Sequence, residues 1–460
     1  MNASVNASVN ASVTSFPISM AKPAEHAGPL PTEADVVVIG GGIIGVMTVW
    51  ELAKAGLRAV LVEKGRIAGE QSSRNWGWIR AQGRDPAELP IMMDAAHRWR
   101  ELAAGMGDAL GLRQTGVMYL ADKPDALTGF EAWLLHAREH GLDTRVLSGA
   151  EVAGLMPAAA KTWAGAMWTP SDMRAEPWLA VPALARAAAA DGAVIIEGCA
   201  ARLIDVAAGR VAGVVTEQGR IAAPAVVLAG GAWSALLLRR HGISIPQLSV
   251  RTSVAVTEPL PEVFAGGARD ATLAWRRRID GGYTLAPRGR QDLYVGPDAF
   301  RALRAFAPQL QADPFGTRLY PAAPCGYPDG WGTPRRWDGD RPGPFEAMRI
   351  LNPPPHKGDA ARLAGEFAAR FPTLGPVRMR SHWGGMIDTM PDLEPVVDHA
   401  PRLPGLVIAT GMSGHGFGIG PAIGAIVAGL VQGRETGHDL HRFRLGRFTD
   451  GTRIKMGPSV

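Results

Sequence analysis

The chain has 460 residues, 47% hydrophobic and 20% charged, which is long enough for two or three domains with sizeable cores and excludes a disordered or fibrous protein. Its 48 Lys and Arg against 43 Asp and Glu leave a net charge of +5 without a basic tract, the densest run being Arg276-Arg277-Arg278. That excludes a nucleic-acid surface and leaves a mild preference for small anions.

Met1–Pro31 opens with NASV three times in succession (Asn2–Val5, Asn6–Val9, Asn10–Val13), a low-complexity composition that predicts a disordered tail. No basic residue precedes Lys22 and no continuous apolar core accompanies it, so neither a signal peptide nor a membrane anchor is supported. The longest later apolar run, Ile419–Val431, is interrupted by glycine and shorter than the roughly 18 residues of a membrane span. Two cysteines, Cys199 and Cys325, are too few for a disulfide framework or a metal cluster. A cytoplasmic protein is expected.

Ala34–Glu63 reads as strand, glycine turn, helix and strand. The β-branched run Asp35–Ile39 enters Gly40-Gly41-Gly42-Ile43-Ile44-Gly45, which fits G-x-G-x-x-G. In that pattern Gly40 makes the tight turn, Gly42 admits a pyrophosphate, and Gly45 lets the helix pack on the strand. The helix N-terminus, through Ile43 and Ile44, offers unpaired N–H groups to phosphate. Glu63 stands about 20 residues beyond, where a ribose-binding acid belongs. The motif predicts a dinucleotide site and does not decide between FAD and NAD.

The following loop leaves the carboxyl end of the second strand, so Lys64, Gln71, Ser72, Ser73 and Arg74 are expected over the cofactor, with Trp76, Gly77 and Trp78 bordering an aromatic ring. Further helices are predicted over Pro90–Ala103 and Asp125–His140, and a strand over Met118–Ala121. Ser148 and Glu151 make a capping box. His97, His136 and His140 lack a metal-ligand partner at useful spacing, so no metal is predicted. An alanine-rich helix, Leu179–Ala190, precedes a meander (Val194–Glu197, Ala200–Ala207, Val211–Thr216) and a buried strand, Ile221–Gly230, whose Ala229, Gly230 and Trp233 form a second approach to the cofactor.

From His241 to about Leu374 prolines, arginines and tryptophans accumulate, as in a substrate domain. Ala274–Ala286 is a hairpin candidate turning at Asp280-Gly281-Gly282. Alternation places Arg276 and Arg278 on one face, where a buried guanidinium needs either a substrate carboxylate or a protein acid. A third buried strand, Leu406–Thr410, runs into Met412–Gly420, where Gly414, His415, Gly416, Phe417 and Gly418 lead to a helix over Pro421–Gln432 with Pro421 near its first turn. Gly384 lies in the segment before it.

Three glycine-terminated strands in this order resemble the glycine oxidase and D-amino-acid oxidase superfamily of FAD enzymes. The segments EADVVVIGGGIIGVMT, EKGRIAGEQSSR, VVTEQGRIAAPAVVLAGGAWS and HWGGMIDTMPDLEPVV, with Pro344-Phe345-Glu346, resemble the bacterial flavoprotein L-amino-acid deaminases. The resemblance implies an α/β fold: a discontinuous Rossmann-like FAD-binding domain (residues 32–88, 148–240 and 376–448) and an α+β substrate-binding domain with an antiparallel or mixed sheet (residues 89–147 and 241–375), with a Pro-rich insertion near 310–360. It implies non-covalent FAD, a substrate carboxylate on Arg276 ahead of the segment Asp280–Arg288, and His415 as a further candidate for the chemistry or for flavin contact.

The implied reaction is oxidation of the Cα–N bond of an α-amino acid by hydride transfer to flavin, giving an imino acid that hydrolyses to a 2-oxo acid and ammonia. A D-amino-acid or secondary-amine enzyme (sarcosine, proline, opine) is the alternative, and a non-enzymatic electron-relaying FAD subunit the third reading. Implied partners are a carboxylate-bearing amine and an acceptor, dioxygen or a quinone, with peripheral membrane association left open.

Overall fold

The computed structural model describes residues 18–457 except 290 and 315. Its first layer is a six-stranded sheet built on Val36–Ile39, every residue of which is buried. Ala59–Glu63 and Ala225–Leu228 pair with it in parallel on either side, followed outward by Val194–Glu197 and Leu406–Thr410, also parallel. The antiparallel Val396–His399 closes the edge. Continuous apolar strands of this kind require cover on both faces. The helices Ile43–Lys54, Pro177–Ala190 and Gly416–Val431 supply it on one side, in a core shared with Trp99 and Met92. The helix Ser234–Arg240 and the antiparallel meander Ala201–Ala222 pack on the other.

The second layer is a ten-stranded mixed sheet. Leu248–Thr257 pairs with Met379–Thr389 along almost its whole length, and the hairpin Leu273–Arg277 with Tyr283–Pro287 continues it. Gly267–Arg269 then runs parallel to Val117–Ala121, which pairs in turn with Gly165–Thr169. The fold is thus the α/β arrangement that the sequence implied, with two three-stranded sheets beside the two principal ones.

Several boundaries differ from the sequence expectation. Gly165–Thr169 and Met379–Thr389 belong to the second sheet and not the first, whereas the helix Leu89–Met106 packs on Gly416–Val431 of the first layer. Ile221–Gly230 is two strands, Gly219–Ala222 in the meander and Ala225–Leu228 in the parallel sheet. The last helix begins at Gly416, so Pro421 sits inside it and not in its first turn. Of the expected disordered tail, residues 1–17 lie outside the described residues, but residues 18–31 dock on the first layer: Glu25 and His26 donate backbone N–H groups to Glu197 Oε2 at 2.6 and 3.1 Å. The Ser148 capping box is formed, with Glu151 N–H on Ser148 Oγ at 3.3 Å and Ser148 N–H on Glu151 Oε2 at 2.7 Å. Among the described residues no helix is long and apolar enough to cross a membrane.

Candidate active site

The carboxyl ends of the parallel strands open into a cavity of roughly 460 Å³ that continues under the second sheet. Its first part is the glycine turn. Gly40 has φ +112°, and a Cβ there would overlap the Ala229 carbonyl, while a Cβ on Gly45 would overlap Gly40 O. The turn is therefore closed to side chains, and the Ile43–Lys54 helix points its N-terminus into the cavity, with Gly42 at the N-cap offering no side chain. Ile43 N–H donates to Ser72 Oγ at 2.9 Å. Glu63 accepts N–H groups from Gly41 and Gly65, both at 2.7 Å, which fixes its carboxylate at the strand end; burial pushes its pKa up against the pull of Lys64 and those amides. A helix N-terminus opening into the cavity, a cradle without Cβ atoms and a fixed acid fit the pyrophosphate and ribose of FAD.

Beyond the turn the rim is held by a clasp. Lys64 Nζ meets Glu70 at 2.7 Å and lies 4.4 Å from the Trp233 ring centre, while Glu70 also accepts Leu351 N–H at 2.9 Å and Trp233 Nε1 at 3.1 Å. Arg74, expected at phosphate, instead ties the loop: its guanidinium reaches Gly69 O, Asn352 Oδ1 and Gly384 O, and burial lowers its pKa to about 10. Asp388 accepts Gly411 N–H at 2.9 Å and Gln247 Nε2 at 3.1 Å, and donates its own N–H to Gln71.

Of the residues expected at the cofactor, Gly40, Gly42, Ile43, Ile44, Glu63, Lys64, Gln71, Ser72, Arg74, Trp76, Trp78, Ala229, Gly230, Trp233, Gly414, His415, Gly416 and Phe417 line this cavity. Gly45, Ser73, Gly77, Gly384 and Gly418 stand outside the lining. Ser73 is buried with its hydroxyl on Ala68 O, a Cβ at Gly77 would overlap Ala175 O, a Cβ at Gly384 would lie 2.6 Å from Pro353 O, and Gly418 O accepts Trp99 Nε1 at 2.9 Å.

Arg276 is the principal correction. It is fully buried, its guanidinium meets Glu176 through Nη1 at 2.9 Å and Nη2 at 3.0 Å, and it is absent from the cavity wall. Of the two partners open to it, the protein acid holds the place. Besides Arg66 and Arg74, the cavity is lined by Arg80, Arg84, Arg269 and Arg288, three of them outside the residues expected from sequence and the fourth closing the Asp280–Arg288 segment. Arg288 is half-buried, and burial lowers its pKa.

His415 sits at the N-cap of the last helix with Nδ1 3.0 Å from Glu88 Oε2, and burial lowers its pKa. Glu394 completes a group whose ligand atoms lie within 4.8 Å of one another. Burial opposes charge on Glu88, but Arg84 and His415 outweigh it and hold its carboxyl at about 2; burial and the neighbouring Glu88 push Glu394 up. The acidities of the two acids are thereby pushed apart, and Arg84 lies 3.8 Å from Glu88 as its cation.

Comparison with known proteins agrees with this geometry. The family model "FAD dependent oxidoreductase" (DAO) matches residues 35–430, and the chain belongs to that family of flavoenzymes acting on amino acids and amines. It is similar to the L-amino acid deaminase from Proteus myxofaciens solved with anthranilate, at 30% identity and TM-score 0.88, covering 93% of this chain and 96% of that one. It is 26% identical to glycine oxidase of Geobacillus kaustophilus over 427 residues, 90% of this chain and 97% of that protein. Mitochondrial sarcosine dehydrogenase of Homo sapiens is 32% identical over 241 residues, half of this chain, but the match spans only 26% of the human protein.

Proposed function

We propose that the protein is an FAD-dependent enzyme that oxidises the Cα–N bond of an α-amino acid, releasing a 2-oxo acid and ammonia. The observation that carries this reading is that the glycine cradle and Arg288, a cavity arginine with no carboxylate within 4 Å among the described residues, line one cavity. The likeness to the Proteus myxofaciens deaminase over nearly the whole chain supports it.

Bound FAD supplies a two-electron acceptor for the hydride on Cα, and dioxygen or a quinone then takes the electrons on. The glycine turn, the helix end at Ile43 and Glu63 would hold the cofactor, and neither Cys199 nor Cys325 lines the cavity to form a thioether to it. Arg288 takes the substrate carboxylate and so fixes which face of Cα is presented. As the Cα–H bond breaks, the amine lone pair closes a C=N bond; water adds to that carbon and ammonia leaves. His415, its pKa lowered by burial, lines the same cavity with Nδ1 3.0 Å from Glu88 Oε2.

The test is anaerobic reduction of the bound flavin, followed at its visible band, by paired L- and D-amino acids and N-methyl amines. Reduction by L-amino acids is expected. Reduction confined to N-methyl amines supports the second reading, a secondary-amine enzyme, which the sarcosine dehydrogenase match favours. No reduction by any of them overturns both.

A further inference from the structure

The cavity carries more positive charge than one α-carboxylate uses. Arg80, Arg84, Arg269 and Arg288 all line it, together with Tyr119. Arg269 lies opposite Tyr119 in the parallel pair Gly267–Arg269 with Val117–Ala121, and its guanidinium stacks 3.6 Å from the ring centre. Arg80 approaches the same ring at 5.4 Å from just beyond the Trp78–Ile79 strand. Arg288 follows Tyr283–Pro287 and is held by its backbone N–H on Thr272 O at 2.9 Å.

The neighbouring acids are already committed. Glu88 faces Arg84 and His415. Asp270, next to Arg269 in sequence, is turned to Arg370 at 2.8 Å and Lys161 at 3.0 Å. Asp172 accepts the backbone N–H of Ala81 at 2.7 Å, and Glu394 is within reach of Glu88 and His415. Arg80, Arg269 and Arg288 are left with no carboxylate within 4 Å among the described residues, although Arg269 is only 6% exposed. Guanidinium groups so enclosed are costly without an anion.

We infer that the substrate is an amino compound with two carboxylates, one held by Arg288 beside the reacting carbon and the other by Arg80 and Arg269 against Tyr119. This rests on the amino-acid oxidation proposed above and narrows it. A second carboxylate can come from an acidic side chain, as in aspartate or glutamate, or from an N-carboxyalkyl group, as in iminodiacetate; the planar forks suit either.

The experiment uses the flavin-loaded full chain in two arms. In the first, flavin reduction by L-aspartate, L-glutamate and iminodiacetate is compared with L-asparagine, L-glutamine and N-methylglycine. An advantage of at least about 10-fold in reduction rate over dissociation constant is expected for the dicarboxylates, and the arm that reduces separates the side-chain source from the N-carboxyalkyl one. In the second, glutarate and butyrate are titrated against thermal melting and the flavin spectrum, with glutarate expected to raise the melting temperature more. Arg269→Gln, or Arg80→Gln if the buried variant does not fold, is expected to remove the advantage of glutarate over butyrate, and an advantage that survives overturns the inference. Neutral amino acids reducing the flavin as well as their acidic isosteres overturns this inference alone. Failure of every amine overturns the oxidation reading with it.

Discussion

Glu176 and Arg276 face each other across two hydrogen bonds of 3.0 Å or less, both side chains fully buried. Glu176 also accepts Ile279 N–H at 2.8 Å, so this one acid pins the start of the Pro177–Ala190 helix to the hairpin of the second sheet. Removing one partner of such a pair strands the other charge without solvent. Arg276→Ala is expected to lower stability by about 3–5 kcal/mol, read in denaturant, while the protein that does fold keeps its affinity for carboxylates. An unchanged stability with a large loss of carboxylate affinity would restore Arg276 to the substrate.

Arg288 should behave in the opposite way. It is half-buried, lines the cavity and has no carboxylate within 4 Å among the described residues. Arg288→Ala is expected to weaken substrate and carboxylate-inhibitor binding by about 2–3 kcal/mol, the value of a charge-assisted pair, with little change in melting temperature. Spectral titration of the flavin with benzoate or butyrate measures the first quantity and thermal melting the second.

Gly45→Ala tests the cradle. Its new Cβ overlaps Gly40 O, which is backbone and cannot swing aside, so the turn must open. The purified variant is expected to carry less than about a tenth of the wild-type flavin, given the several kcal/mol such an overlap demands. A fully yellow variant would place the cofactor elsewhere.

Acid precipitation checks the mode of attachment. Cys199 is buried among apolar residues of the first layer and Cys325 is exposed, and neither reaches the cavity lining. All of the flavin is expected in the supernatant and none in the pellet.

Much of the first layer was legible because its information is local. Val36–Ile39, the glycine turn and Glu63 are contiguous, and a strand buried on both faces can hardly be patterned otherwise. The Ser148 capping box spans four residues and was equally plain. The arginine wall was not. Arg269 meets Tyr119 only because two strands far apart in sequence become parallel neighbours, and no periodicity in either segment encodes that register. Arg276 was misread for the same reason: its partner lies 100 residues away. The last helix was begun five residues late because Gly416, Gly418 and Gly420 argue against helix by propensity, an objection that packing on Ile43–Lys54 overrides.

Asp172 gives the fold a pH dependence with a definite sign. Its carboxyl is buried, and burial pushes its pKa up to about 7 despite the Ala81 and Gln82 N–H groups and the Arg80 charge that favour the ionised form. In the unfolded chain the same group titrates at the ordinary value of 3.8. Because the folded pKa is the higher one, the folded state binds the proton more tightly, and the stability this confers is complete below about 4 and lost as pH rises through about 7. Asp172→Asn keeps an oxygen to accept the Ala81 N–H and removes the titration. The stability of the wild type relative to this variant is therefore expected to fall between pH 4 and pH 7 and to level off above it, measured by denaturant unfolding at each pH. A difference that stays flat, or that grows with pH, would mean that Asp172 is ionised throughout and that Arg80 is its counter-charge.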